Sequence, residues 1–204
     1  MASHVALLRG INLGGRNKVP MAELRDVVTS LGHTEVTTYI QSGNVLFTTP
    51  ESDTGKLAAA LEAAITDAFG LTSSVVVVSR GELAEILDRN PYQHEPNPRL
   101  VHVVFLNAEL PTDLLDRIKA AASAAAAKGS RDTLSTIGPA LYVHTPDGFG
   151  RSELGQVLFR IIGTADKTAA EGKAGAVPPG RHGIAATARN LATATMLLSL
   201  SEGK

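Results

Sequence analysis

Two segments of this 204-residue chain read as copies of one pattern and limit its folds more than any other feature. They are Thr38-Tyr39-Ile40 through Phe47-Thr48-Thr49-Pro50, and Ser135-Thr136-Ile137 through Val143-His144-Thr145-Pro146. In each, a strand-like stretch passes through a short turn, Gln41-Ser42-Gly43 in the first and Gly138-Pro139 in the second, into another strand. A glycine where the turn needs positive φ makes each a β-hairpin. Each hairpin then runs into a helical pattern carrying a cation and a leucine, Lys56-Leu57 in one and Arg151 with Leu154 in the other. This is the signature of a degenerate internal duplication.

The flanking periodicities extend the copy. Residues 5–9 are apolar up to Arg9, as in a strand covered on both sides. After Pro20, which suits a helix start, Met21, Leu24, Val27, Val28 and Leu31 share a helical face, and Gly32 suits its end. Residues 56–69 repeat helical spacing and stop at Gly70, and Val75-Val76-Val77-Val78 is a short buried strand. The order β-α-β-β-α-β matches the ferredoxin-like arrangement. A short helix over 82–88 and a proline-rich run over 90–98 follow, dividing the chain into 1–90 and 91–204.

The second half opens alike, with a strand at 100–106 and a helix at 111–128. Residues 163–183, rich in glycine, alanine, lysine and proline, read as a mobile loop, and a last helix starts near Ala188, capped by Thr187. The expected class is α+β: a ferredoxin-like βαββαβ first half, a related, incomplete βαββα second half and a C-terminal helix, in two halves or one compact unit.

Composition narrows the chemistry. With no cysteine there is no disulfide frame, thiolate nucleophile or cysteine zinc site, and the six histidines show no H-x-x-x-H ligand spacing, so neither metal nor cofactor is expected. A net charge of −1 and 4% aromatic residues argue against nucleic acid as partner. No run approaches the ~18 apolar residues of a membrane helix, and Met1-Ala2-Ser3-His4 lacks a signal-peptide pattern, so a cytoplasmic location away from membranes is expected.

The chemistry-bearing residues cluster at element ends. The loop Arg9-Gly10-Ile11-Asn12-Leu13-Gly14-Gly15-Arg16-Asn17-Lys18 joins a strand to a helix, as a phosphate-binding loop does. Arg16 and Asn17 replace the lysine and hydroxyl of a Walker A loop, and Asn12 replaces the middle glycine of G-x-G-x-x-G, so neither nucleotide motif fits. What remains is backbone N–H groups beside Arg9, Arg16 and Lys18, an anion seat, with a tight solvated connection as the bland alternative. At the hairpin tip, Gln41, Ser42 and Asn44 either serve the turn or recognise a ligand. Arg151 and Ser152 follow Asp147-Gly148-Phe149-Gly150, where the arginine either holds an anion or pairs with Asp147 or Glu153. Arg189 and Asn190 repeat the theme, with helix capping as the bland alternative.

Ala6 through Gly15, Lys18-Val19-Pro20-Met21 and Thr38 through Val45 resemble the bacterial domain-of-unknown-function family 1697, and Gly150-Arg151-Ser152 and Thr187-Ala188-Arg189-Asn190 resemble its C-terminal signatures. The resemblance spans nearly the whole chain. It implies an α+β fold with ferredoxin-like character and no established activity, with residues 163–183 as an insertion relative to the family pattern.

The expected function is binding of a small anionic ligand, a nucleotide or a phosphorylated or carboxylated metabolite, at a composite site. Its residues would be Arg9, Gly10, Asn12, Gly14, Gly15, Lys18, Gln41, Ser42, Asn44, Arg151, Ser152, Arg189 and Asn190. The alternatives are an enzyme acting on such a ligand through Ser42, Ser152, Asp147 or Tyr39, an RNA-binding domain, and a self-associating domain.

Overall fold

A computed structural model describes residues 1–12, 17–170 and 184–204, with backbone only for 163–170. The first half contains β1 (His4–Leu8), α1 (Met21–Ser30), β2 (Thr34–Tyr39), β3 (Asn44–Thr48), α2 (Thr54–Phe69) and β4 (Val75–Ser79), followed by α3 (Arg80–Asp88). The second contains β5 (Val101–Leu106), α4 (Thr112–Ala127), β6 (Thr133–Ile137), β7 (Ala140–His144), a 3₁₀ turn (Phe149–Arg151), α5 (Glu153–Ala170) and β8 (Ala186–Asn190), followed by α6 (Leu191–Ser201). The sheets are antiparallel with strand orders β2-β3-β1-β4 and β6-β7-β5-β8, so the ferredoxin-like arrangement occurs twice in an α+β chain. By contacts the chain divides into two compact units, Met1–Glu85 with Ala194–Lys204, and Ile86–Thr193.

Local chemistry explains most boundaries. Asp53 caps α2 by accepting the Lys56 N–H at 3.0 Å, and Gly70, at φ 63°, ends it. Ser79 and Glu82 form a reciprocal capping box at the start of α3, the Glu82 N–H donating to Ser79 Oγ (3.1 Å) and the Ser79 N–H to Glu82 Oε2 (2.7 Å). In the first unit Ala6, Leu8, Val45 and Phe47 of the sheet bury against Leu24 and Val28 of α1 and Leu57, Leu61 and Ile65 of α2. In the second, Val104, Leu141 and Val143 bury with Ile118 of α4 and Leu154, Leu158 and Ile162 of α5. Each buried valine, leucine, isoleucine or phenylalanine among them contributes about 1.5–3 kcal/mol.

The registers align the units residue by residue. His4 lies opposite Phe47 and Ser79, and His102 opposite Val143 and Asn190, so His4 corresponds to His102 and Leu8 to Leu106. Val19-Pro20 before α1 and Leu110-Pro111 before α4 correspond likewise, each proline standing at its helix's N-cap.

Two expectations are corrected. The second half has one strand more than its sequence suggests: Ala186–Asn190 pairs with β5 as β8, and the last helix begins at Leu191, with Asn190 rather than Thr187 as its cap. Ala-Thr-Ala-Arg-Asn carries little β-propensity, and the open edge of β5 supplies the ladder that propensity does not. The stretch expected as a loop from Gly163 is helical through Ala170, as its alanines and lysine favour. The rest of that stretch, 171–183, lies outside the described residues. Among the described residues no helix is long and apolar enough to cross a membrane.

Candidate functional site

The loop after β1 is laced by its own asparagines. Asn12, at φ 52°, donates from Nδ2 to the carbonyls of Val19 and Gln41, both at 3.0 Å, and accepts the Val19 N–H on Oδ1 at 2.9 Å. The Asn12 N–H donates to the Asn17 carbonyl, and Asn17 Nδ2 donates to the Gly10 carbonyl, each at 2.9 Å. Asn12 thus ties the strand-to-helix connection to the hairpin tip. Asn44, fully buried, donates from Nδ2 to the Tyr39 carbonyl (3.0 Å) and to Ser42 Oγ (2.9 Å), closing the hairpin turn. A Cβ on Gly43 would lie 2.7 Å from Leu8 Cβ and 2.9 Å from Ile11 Cδ1, so only glycine lets the tip settle on β1. Of the residues expected here to recognise a ligand, Asn12, Ser42 and Asn44 are tied into the hydrogen bonds of the loop and hairpin. Lys18 and Gln41 are exposed, and Arg9 is half-buried with its N–H on the Ser74 carbonyl at 2.9 Å. Gly14 and Gly15 lie outside the described residues.

Arg151 and Ser152 belong to the other unit, where they line a polar cleft of about 260 Å³ with Lys128, Ser130, Asp132, Asp147 and Glu153. Ser152 caps α5. Its buried Oγ accepts the Gly155 N–H and donates to Asp132 Oδ2, each at 2.7 Å. The expected partner of Arg151 is engaged elsewhere: Asp147 pairs with Arg131 through Nε (3.2 Å, to Oδ2) and Nη2, and Lys128 holds Glu153 at 3.0 Å. The hydrogen bond from Arg131 keeps the Asp147 carboxyl below the usual carboxylate range, and the charges of Arg131 and Arg151 add to the effect. Arg151 is left exposed at the rim, with no direct ion-pair partner among the described residues. The first-turn N–H groups of α5, which a helix cannot satisfy internally, lie at the same end.

Above β5, Phe149 of the 3₁₀ turn stacks on His102 with ring centroids 4.1 Å apart, and Gly155 makes room for it, since a Cβ there would lie 3.1 Å from the phenyl ring. Burial pushes the His102 imidazole down to about 4.

Arg189 and Asn190 stand on β8 and do not line the cleft. Arg189 is 8% exposed and donates from Nη1 to Thr187 Oγ1 (2.8 Å) and the Ala188 carbonyl (2.9 Å), while burial lowers its guanidinium to about 10. Asn190 Oδ1 accepts the Thr193 N–H at 2.8 Å as the α6 cap. Sequence reasoning missed Lys128, Ser130 and Asp132. They follow or end a solvated helix, and only the path of α4 into β6 brings them to the start of α5. Among the described residues no group of three or more histidines and carboxylates could hold a metal.

A family model described as "Protein of unknown function (DUF1697)" matches residues 1–135. Among solved structures, the conserved bacterial protein SP0830 from Streptococcus pneumoniae is similar over 99% of each chain, at 23% identity and a TM-score of 0.67, which shows a shared fold. No curated protein matches the chain.

Proposed function

We propose that this chain, which belongs to the DUF1697 family of uncharacterised bacterial proteins, binds a small phosphorylated or carboxylated metabolite in the cleft at the start of α5. The observation that carries the reading is Arg151, exposed on a concave polar wall beside a helix N-terminus while the neighbouring acids Asp147 and Glu153 are held by Arg131 and Lys128. A guanidinium beside the positive end of a helix dipole suits a phosphate or carboxylate. A cleft of about 260 Å³ falls below the ~300–1,000 Å³ of sites for larger ligands and favours a sugar phosphate or dicarboxylate over a dinucleotide.

Binding is favoured over catalysis because the Ser152 hydroxyl is committed on both sides, to the Gly155 N–H and to Asp132. An RNA platform is disfavoured because strand residues facing away from the helices, such as Val5, Leu7, Val76 and Val103, are buried.

The test is thermal unfolding at constant ionic strength against inorganic phosphate, sugar phosphates, dicarboxylates and mononucleotides. A true ligand raises Tm saturably, corresponding to about 2.7 kcal/mol at a hundredfold excess over Kd. Arg151→Ala should remove the shift and leave the unliganded protein within about 0.5 kcal/mol of the parent. Arg9→Ala, in the other unit, should retain it, whereas a composite site would lose the shift with either substitution. No shift beyond the ionic-strength control with any compound refutes the proposal.

A further inference from the structure

The two units treat the same corner of the fold differently. In the first, residues 9–20 join β1 to α1, and Ile11 folds back onto the hairpin tip, 3% exposed and in contact distance of Gly43. Beneath it Leu8 and Val19 are each 1% exposed. In the second, the much shorter connection 107–111 joins β5 to α4 and contains no counterpart of Ile11. The residues equivalent to Leu8 and Val19, Leu106 and Leu110, are only half-buried there. They border a hollow of about 150 Å³ together with Leu115, Ala140 and Leu141. A volume of this order accepts one benzene-sized apolar group. Glu109 is the charged residue on its wall.

We infer that this hollow is a docking pocket for a single branched aliphatic side chain of a partner peptide carrying a basic residue close by. The first unit states the apolar chemistry of the occupant, since its own filler is an isoleucine, Ile11, and the basic residue is asked for by Glu109 alone. Leu106, Leu110, Leu115 and Leu141 supply the apolar wall that an isoleucine or leucine would cover, and Glu109 supplies the complement to the cation.

The probe is the blocked tetrapeptide Arg-Gly-Ile-Asn, titrated into the full chain labelled with nitrogen-15 while amide chemical shifts are followed. Saturable shifts centred on Leu106, Leu110, Ala140 and Leu141 at millimolar peptide are expected, and none with a peptide in which aspartate replaces the isoleucine. Glu109→Gln should weaken binding about three- to tenfold, and Leu115→Phe, which intrudes on the hollow, should abolish it. Glu109 is exposed, so its substitution remains informative should Leu115→Phe fail to fold. The inference is overturned by the absence of saturable shifts, by an equal response to the aspartate peptide, or by shifts at these amides that track protein concentration without peptide, which would assign the hollow to a second copy.

Discussion

A polar side chain beside a glycine-bearing loop has two uses, and hydrogen-bond partners separate them. Asn12 and Asn44 spend their amides on backbone carbonyls of their own unit, so their loss registers in stability. Asn12→Ala removes three hydrogen bonds and places alanine at φ 52°, and should cost about 2–3 kcal/mol in urea unfolding. His102 ties the second unit to pH. Its folded value of about 4 lies below the ordinary 6.5, so between those values the unfolded chain takes up a proton that the folded one refuses. The contribution is complete above pH 6.5 and is lost as pH falls toward 4. With its partial exposure allowed for, it amounts to about 2 kcal/mol. His102→Leu should flatten stability over that window relative to the parent. Among the described residues its Nδ1 and the buried His33 Nε2 lack hydrogen-bond partners, and His4 and His33 are lowered in the same direction by burial.

At the scale of elements, the hairpins and helices follow local rules, while their junctions follow packing. Gly43 is both a turn residue, at φ 74°, and a contact surface for Leu8 and Ile11. Gly43→Ala should therefore lose about 2–4 kcal/mol, more than a turn position alone would. Capping by Asn190 is separable from β8 pairing. Asn190→Ala should lower stability by about 1 kcal/mol while leaving β8 amides protected from hydrogen exchange. The hairpin pattern was legible because its alternation and its turn glycine are near neighbours in sequence. Strand β8 was not, because Ala186 to Asn190 becomes a strand through pairing with β5, distant along the chain.

For the whole molecule, each copy ends in a helix, α3 after β4 and α6 after β8, and the division by contacts runs through both. Residues Ala194–Lys204 group with the first unit although they follow the second. Ala194, Leu197 and Ser201 are buried. Truncation after Thr193 should accordingly speed hydrogen exchange in 1–85 more than in 101–190, and equal acceleration in both would refute that assignment. That the chain is α+β, that one hairpin module occurs twice and where most helices end can be read along the chain, because strand and helix periods and the glycine and proline signals are properties of neighbouring residues. Folding is what pairs Asp147 with Arg131 and leaves Arg151 exposed, sets the asparagines of the first loop on backbone carbonyls, and keeps a hollow in the second unit where the first has Ile11. Those outcomes depend on which distant groups compete for the same partner or the same space, and no local pattern encodes that competition.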